Sequence, residues 1–379
     1  MDFSLNDIQQ MMQDSAAKFI NNDYDFETRR ALANSPAGYS EDNWKLFAEL
    51  GWLALPVEET YGGIGGDLVD TLVLQQEFGK GLLVEPYFAT VLLGAKLIQK
   101  QGSEAQKQEL LEQVVGGELK LALAHSEPQA AFDVTQTRTR AEKSGNSFVL
   151  NGHKAVVLGA ECASLLLVPA RTAAEPGDTD GISLFLVSPE QRGITLRGYS
   201  TNDGLRAAEV VLENVQVPAS ALLGEPGSAC EAIQDVLNEA IVALGAEAVG
   251  VMEKLLAATS EYVKTRQQFG QPISRFQVLQ HRLADMFMET ELSKSMVYFA
   301  AMEVAKGGAE GARAASMLKV KIGNAGRVVG QQAVQLHGGM GITDELDVGH
   351  FFKRLTCINS QLGSRDYHLQ SLVNEASAR

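Results

Sequence analysis

The hydrophobic periodicity of this chain changes twice along its length, and that change limits the possible folds. Residues 1–118 place apolar side chains at helical spacing, and the same spacing returns in residues 226–379. Residues 119–225 instead contain short β-rich runs that are bounded by turn residues, with no helical period between them. We therefore predict an α+β chain with an N-terminal α-helical domain, a middle antiparallel β domain of barrel or sandwich type, and a C-terminal four-helix bundle.

Local signals predict where individual elements begin and end. Ser4 and Asp7 have the spacing of a capping box for the first helix. A long apolar-periodic run from Ala229 to Arg266 should stop at Phe269-Gly270-Gln271-Pro272, because proline cannot continue the helical hydrogen bonds. Asn151-Gly152, between two β-rich runs, predicts a tight turn. Further helices are predicted near residues 41–50, 67–80, 86–101, 104–114, 275–306, 309–336, 345–356 and 364–377.

Composition excludes several classes of protein. The net charge of −15 and the pI of about 4.9 argue against nucleic-acid binding, which needs lysine and arginine to displace counterions. The cysteines (Cys162, Cys230 and Cys357) are far apart, and neither they nor the histidines show metal-ligand spacing, so we predict no metal. The first ten residues lack the features of a signal peptide, and no apolar run is long enough to span a membrane. These features predict a cytoplasmic protein.

Two segments carry a family resemblance. Residues 262–286 read YVKTRQQFGQPISRFQVLQHRLADM, and residues 335–345 read QLHGGMGITDE. Together with AELGWLALPVEETYGGIGG at residues 48–66 and the helix–sheet–helix order, they resemble the acyl-CoA dehydrogenase family of flavoenzymes over the whole chain. Within that family, YDFETRR and VGHFFKRLT are most similar to the small subunit of pimeloyl-CoA dehydrogenase.

The resemblance implies an FAD cofactor that is bound across a subunit boundary, and therefore a dimer or tetramer, either homomeric or heteromeric. The two phosphates of FAD need an anion site, which arginine and helix N-termini can provide. By resemblance, Arg266 and Phe269 would reach the adenosine and pyrophosphate end of the neighbouring subunit's FAD. Arg266 alone could equally be a cation favoured at a helix C-terminus.

The same resemblance assigns further contacts with FAD. Gln335, Gly338 and Gly339 match the segment that approaches the pyrophosphate, where glycine permits a close backbone approach. These glycines could also form a helix C-cap or turn. Gln277 and Gln280 lie near a family glutamine that meets the cofactor. His337 is better interpreted as a packed or capping residue than as a base.

The β domain gives a mixed signal for the flavin ring. His125 and Ser126 lie in AHSEP, which resembles the family segment that contacts the ring. The family's next Gly-Ser-Asp is replaced by Ala131-Phe132-Asp133. Residues 155–158 read AVVL, where the family usually places a Trp and a Thr against the flavin.

The base that removes the α-proton of an acyl thioester must be a carboxylate that works near neutral pH. Many family members carry it in a Glu-Gly-Thr segment near the C-terminus, but Leu362 stands at that position here. Other members place it on the first long helix of the C-terminal domain, at a position that matches Ala240, beside Glu239. Glu247 lies two turns further along the same face, flanked by small apolar residues.

A lone carboxylate in such surroundings should be buried, which raises its proton affinity or demands a cationic partner. We therefore predict that Glu247 is the base. The alternative is a buried structural carboxylate, paired with an arginine at the subunit interface. Glu239 and Asp366 are further candidates, although Glu239 fits a solvated helix face and Asp366 fits a helix cap.

The predicted function is FAD-dependent dehydrogenation of an acyl-CoA to a trans-2-enoyl-CoA, with electrons passed to an electron-transfer flavoprotein. A second hypothesis is a mainly structural or FAD-site-completing subunit of a heteromeric α2β2 enzyme that acts on dicarboxyl-CoA or steroid-side-chain-CoA esters. The missing C-terminal glutamate and the missing Trp and Thr suggest it. A third is a flavin oxidase or reductase on the same fold.

Overall fold

The computed structural model describes residues 5–130 and 132–378, and the order of its elements confirms the predicted fold class. In chain order the helices are α1 (Asp7–Asn22), α2 (Phe26–Ala33), α3 (Glu41–Glu49), α4 (Leu68–Gly81), α5 (Lys96–Gln101), α6 (Glu104–Val115), α7 (Ala229–Thr265), α8 (Gln277–Val304), α9 (Gly308–His337), α10 (Asp347–Ser360) and α11 (Arg365–Ala378). The strands are β1 (Leu121–Leu123), β2 (Arg140–Ser144), β3 (Ser147–Leu158), β4 (Leu165–Arg171), β5 (Ile182–Val187), β6 (Ile194–Ser200), β7 (Arg206–Pro218), β8 (Leu222–Leu223), β9 (Gln267–Gln268) and β10 (Gln271–Pro272).

The chain forms two compact units. One contains residues 1–31, 68–83 and 241–379, and the other contains residues 32–67 and 84–240. The boundaries that the sequence predicts, at residues 118/119 and 225/226, follow the changes in periodicity and stay a prediction.

The first unit is helical, and α9 is its central element. Helices α8, α10 and α11 all pack against α9. The buried positions of α9 are mostly glycine and alanine, so neighbouring helices can approach closely. Lys319 also lies on this face and is 2% exposed.

Helices α4 and α7 also make a close approach in this unit. A Cβ atom on Gly79 of α4 would lie 2.1 Å from the carbonyl oxygen of Glu247, and one on Gly250 of α7 would lie 1.9 Å from the carbonyl oxygen of Gln76. Both positions therefore require glycine. This double contact fixes the part of α7 that carries Glu247.

The second unit contains the main sheet, in the order β6-β7-β3-β2-β4-β5-β8, with β1 beside β4. Most pairs are antiparallel, as predicted, but β1 pairs with β4 in parallel, and β2 meets β4 in a parallel bridge. Buried side chains from several strands form a core that includes Leu150, Phe185 and Val210. The sheet is thus mainly antiparallel, with two parallel contacts at β4.

The prediction of a tight turn at Asn151-Gly152 is wrong. The β2–β3 hairpin turns at Gly145-Asn146, where Gly145 has φ +62°. Asn151-Gly152 lies inside β3 at a shift in register with β7, and the Asn151 side chain accepts a hydrogen bond from the Asn214 N–H at 2.8 Å. A Cβ atom on Gly152 would lie 2.2 Å from Thr139 Oγ1, so this glycine serves close packing and not a turn.

Other differences concern helices. Ser4 lies outside the described residues, and the N-cap of α1 is Asn6, which forms a capping box with Gln9. Helix α2 was not predicted. The helix predicted at residues 86–101 divides into a π-helix (Phe88–Ala95) and α5.

Replacing Gly250 with alanine should test the close approach of α4 and α7. The added methyl group would meet the Gln76 carbonyl, so we expect the free energy of unfolding to fall by about 2–4 kcal/mol. The control is Gly326→Ala on α9, where the nearest atom to a new Cβ is a Leu355 methyl group at 3.3 Å. Alanine favours helix over glycine, so G326A should be neutral or gain up to about 1 kcal/mol in denaturant unfolding. Equal effects of the two variants would contradict the packing argument.

Candidate functional site

The α7–α8 connection is a two-stranded hairpin with an aromatic tip. Helix α7 ends at Thr265, and β9 pairs with β10 around a turn formed by Phe269 and Gly270. Both turn residues are left-handed, with φ +54° and +78°. Phe269 is 90% exposed, and its ring makes an edge contact with the Phe276 ring at 6.0 Å. A large aromatic side chain in a left-handed, exposed position indicates a binding role more than a folding role.

Arg266 lies at the base of this hairpin. Its backbone N–H donates to the Tyr262 carbonyl, and its own carbonyl accepts from the Ile273 N–H, so the main chain is fixed. Its side chain is exposed, and among the described residues no carboxylate lies within ion-pairing distance. The guanidinium is therefore available to an anionic ligand.

The C-terminus of α9 presents open glycines. Gly338 caps the helix with φ +62°, and its N–H donates to the Gln335 carbonyl. Cβ atoms built on Gly338 and Gly339 would meet no atom within 4 Å. This exposed backbone leaves room for a ligand to approach closely.

His337 supports these glycines from inside the unit. It is buried and its ring stacks on the Tyr262 ring with centroids 4.3 Å apart. Its Nδ1 lies 2.8 Å from the Ala333 carbonyl. His337 is therefore a packing residue that ties the end of α9 to α7.

Gln277 and Gln280 occupy the first turn of α8, just after the hairpin. Both are exposed, and the Gln280 side chain donates to the Ser274 carbonyl at 2.9 Å. In the helical unit, Gln277 and Gln280 therefore lie at the start of α8, and Gly338 and Gly339 lie at the end of α9.

The other two predicted contacts, His125 and Ser126, follow β1 in the second unit. The Ser126 carbonyl accepts a hydrogen bond from the Ala155 N–H at 2.9 Å, which joins this segment to a bulge in β3. Val156 at the bulge has φ +53° and is 55% exposed. His125 Nδ1 is buried without a hydrogen-bond partner among the described residues. Burial, and then the Lys154 charge, lower the pKa of His125 to about 4, so its imidazole is neutral at pH 7.

A buried ion pair lies beneath this segment. Lys154 Nζ donates to Glu127 at 2.7 Å, and Thr139 Oγ1 donates to the same oxygen at 2.6 Å. Burial alone would raise the pKa of Glu127, but the Lys154 charge and these hydrogen bonds outweigh it and lower the pKa. The pair anchors the strand end that carries His125 and Ser126.

Glu247 is also buried and ion-paired, on α7 of the helical unit. Arg354 of α10 donates from Nε to Oε1 at 2.5 Å and from Nη2 to Oε2 at 2.8 Å. Glu247 is 7% exposed and Arg354 5% exposed. The sequence argument expected either a raised proton affinity or a cationic partner. The structure shows a cationic partner, as the alternative of a buried structural carboxylate expected, and this arginine lies within the same chain.

Arg354, Lys319 and Gln361 were missed by the sequence argument. Arg354 Nη1 donates to the Gln361 side-chain oxygen at 3.4 Å, and Lys319 Nζ donates to the carbonyls of Ile358 and Gln361, each at 2.6 Å. A signal was present in both helices. Arg354 lies beside the apolar residues Phe351, Leu355 and Ile358 on the buried face of α10, and Lys319 lies among the small residues of α9. Charges at such positions need partners.

The turn after α10 adopts left-handed conformations at Leu362 (φ +55°) and Gly363 (φ +103°). It is held by Lys319 through Gln361 and by His368, whose Nε2 lies 2.9 Å from the Leu362 carbonyl. The other acidic candidates differ from Glu247. Glu239 pairs with Lys96 and Lys100 at 3.5 and 3.3 Å, and exposed Asp366 pairs with Arg365 in the first turn of α11.

None of the helices in the described residues combines the length and apolar character that crossing a bilayer would take. No group of three or more His, Cys, Asp or Glu side chains in this part of the chain is arranged to hold a metal ion.

Comparison with known families identifies the class. The models of the acyl-CoA dehydrogenase N-terminal, middle and C-terminal domains match residues 6–118, 122–215 and 230–376. A probable acyl-CoA dehydrogenase of Bacillus subtilis, YngJ, is 31% identical over 98% of this chain and 98% of its own. The chain belongs to the acyl-CoA dehydrogenase family.

Solved structures of similar proteins agree with the fold. Butyryl-CoA dehydrogenase of Megasphaera elsdenii is 28% identical with a TM-score of 0.90, and all of both chains is covered. An FAD complex of PigA is 26% identical with a TM-score of 0.90, covering 100% of this chain and 99% of the other.

Lys319 should make stability depend on pH in a defined window. Burial, and then the Arg354 charge, lower the pKa of Lys319 from 10.5 to about 7. Between these values the unfolded chain binds a proton that the folded chain does not, so stability rises with pH from about 7 to 10.5. The rise from this group is at most about 1.4 kcal/mol per pH unit.

Urea unfolding of the wild type and of Lys319→Met across this window would measure the effect. We expect K319M to be less stable throughout, because two carbonyls lose their donor, and to lack the part of the slope that Lys319 contributes. Parallel stability–pH curves for the two proteins would show that Lys319 does not titrate in this window.

Proposed function

We propose that this chain catalyses the α,β-dehydrogenation of an acyl-CoA thioester to a trans-2-enoyl-CoA. Family membership makes it an oxidoreductase of the acyl-CoA dehydrogenase class. The FAD complex of a structural relative, with the family models, confirms the predicted FAD cofactor. The observation that carries the proposal is the α7–α8 hairpin, which presents a free arginine and an exposed aromatic ring together.

The proposed contacts of FAD divide by chemistry. Arg266 supplies the positive charge for the pyrophosphate, and Gly338 and Gly339, with Gln335 beside them, supply open backbone that a ligand can approach closely. Phe269 supplies an aromatic face for the adenine. Gln277 and Gln280 supply amide donors, and His125 and Ser126 supply polar groups for the flavin ring. When bound, FAD accepts the hydride that leaves the β-carbon.

We propose Glu247 as the residue that takes the α-proton. It is a buried carboxylate among small residues, which exclude water and leave room for a ligand. Arg354 uses one position on each carboxylate oxygen, and each oxygen has a further lone pair that can accept a proton. The two helices that bear the pair therefore hold the proton acceptor in one orientation.

Electron-transfer flavoprotein is the proposed electron acceptor, and a dimer or tetramer with FAD at the subunit interface is the proposed assembly. The exposed Phe269 at the tip of the hairpin supports a contact with a neighbouring subunit. Cytoplasmic location is proposed because the cysteines are free thiols.

Arg266→Gln should weaken FAD binding. The variant loses the charge that neutralises the pyrophosphate, and we expect the FAD dissociation constant to rise about 10- to 100-fold. FAD released per polypeptide and fluorescence titration of the apoprotein would measure this change. Lys264→Gln is the matched control, because Lys264 is a nearby exposed cation that pairs with Glu261 at 2.6 Å. Equal retention of FAD by both variants would contradict the proposed role of Arg266.

Glu247→Gln should abolish bleaching of the bound flavin by acyl-CoA while FAD stays bound. An amide cannot take the α-proton, so we expect the rate to fall by at least about 1,000-fold. Butyryl-CoA, octanoyl-CoA and palmitoyl-CoA would be tried in stopped flow. Glu253→Gln is the control, because Glu253 lies on the same helix and is ion-paired with Lys80 and Lys294. Bleaching of E247Q at the wild-type rate would remove Glu247 from catalysis.

A further inference from the structure

Arg354 contacts the proposed base on one edge of its guanidinium and Gln361 on another. The first contact uses two short hydrogen bonds, and the second uses Nη1. We propose that Arg354 is a positioning residue for the reaction: it keeps Glu247 as a carboxylate and fixes the orientation of both oxygens. This inference rests on the proposed role of Glu247 as base.

The surrounding structure offers the Glu247 carboxylate few other hydrogen-bonding partners. Its backbone carbonyl lies against Gly79, where even a Cβ atom would come within 2.1 Å, so α7 cannot shift at this point. Its neighbours Ala246 and Ala248 are buried and offer no polar group. Arg354 thus provides the two charge-assisted hydrogen bonds that a buried carboxylate needs.

The guanidinium is itself held in place from the far side. Gln361 accepts from Arg354 Nη1, and the main chain of Gln361 accepts from Lys319. A bidentate fork that is anchored at its third nitrogen cannot rotate without breaking these bonds. A series of hydrogen bonds from Lys319 through Gln361 and Arg354 to Glu247 therefore couples the position of the turn after α10 to the position of the proposed base on α7.

The other charged groups near the pair are few in the described helices. From α9, buried Lys319 faces Arg354, and the two positive charges repel each other. From α11, His368 contacts the turn, and burial lowers its pKa to about 4, so it carries no charge at pH 7. From α4 and α8, Lys80 and Lys294 pair with Glu253, six residues further along α7. Arg354 is thus the cation that contacts Glu247 directly.

The test is the pH profile of flavin bleaching in Arg354→Gln and Arg354→Lys. A buried carboxylate without its cation takes up a proton more readily, so R354Q should bleach about 100-fold more slowly than the wild type near neutral pH. The rate should recover as the pH is raised and the carboxylate ionises. R354K keeps the charge but loses the fork, so its profile should lie between the two.

Folding is controlled with two further variants. Glu247→Gln combined with Arg354→Gln leaves a neutral amide pair of similar volume, and it should regain much of the stability that R354Q loses. Lys321→Gln removes another cation of the same helical unit, which pairs with Glu289 at 2.6 Å, and it should leave the pH profile unchanged.

The outcomes separate the two proposals. If E247Q still bleaches, Glu247 is not the base and the role of Arg354 falls with it. If E247Q is inactive while R354Q bleaches at the wild-type rate with an unshifted pH profile, the role of Glu247 as base is supported and the positioning role of Arg354 is overturned. An upward shift of the R354Q profile that R354K partly reverses supports it.

Discussion

The buried ion pair between Glu247 and Arg354 links two helices through residues that are 107 positions apart in the sequence. Removing either partner would leave an uncompensated charge inside the bundle, so the pair ties α7 to α10. The turn after α10 then follows, because Arg354 also holds Gln361. Lys319 completes the arrangement from α9 by donating to two carbonyls at the end of α10. A small group of polar side chains thereby links three helices of the first unit.

The same physical requirement appears in the other unit. Lys154 is fully buried beside Glu127, and the pair fixes the end of β1 against β3. In both units a charged side chain is buried at a position where an apolar side chain would need no hydrogen-bonding partner. Each pair also lies next to residues that the sequence assigns to chemistry: Glu247 itself in one unit, and His125 with Ser126 in the other. These two buried pairs therefore fix the backbone geometry next to the predicted site residues.

The fold was largely predictable because periodicity reports burial. Helix α7 is apolar along its length and ends where Pro272 and the hairpin demand, within one residue of the predicted end. The errors arose where one residue type serves two purposes. Asn151-Gly152 has the composition of a hairpin turn, yet Gly152 is needed for contact with Thr139. The parallel contacts of β4 could not be predicted either, since strand order depends on packing between segments that are distant in the sequence.

The candidate site was predicted in part, and the missing part has a common cause. Local sequence patterns could indicate Arg266, Phe269 and the glycines after α9, because adjacent residues determine where a helix ends and a turn forms. Arg354 and Gln361 carry no such pattern for a partner on α7, since the contact joins positions that only tertiary packing brings together. The turn after α10 has Leu362 in a left-handed conformation, with φ +55°. This conformation is sterically unfavourable for leucine. Arg354 and Gln361 connect this turn structurally to the buried carboxylate of Glu247 on α7.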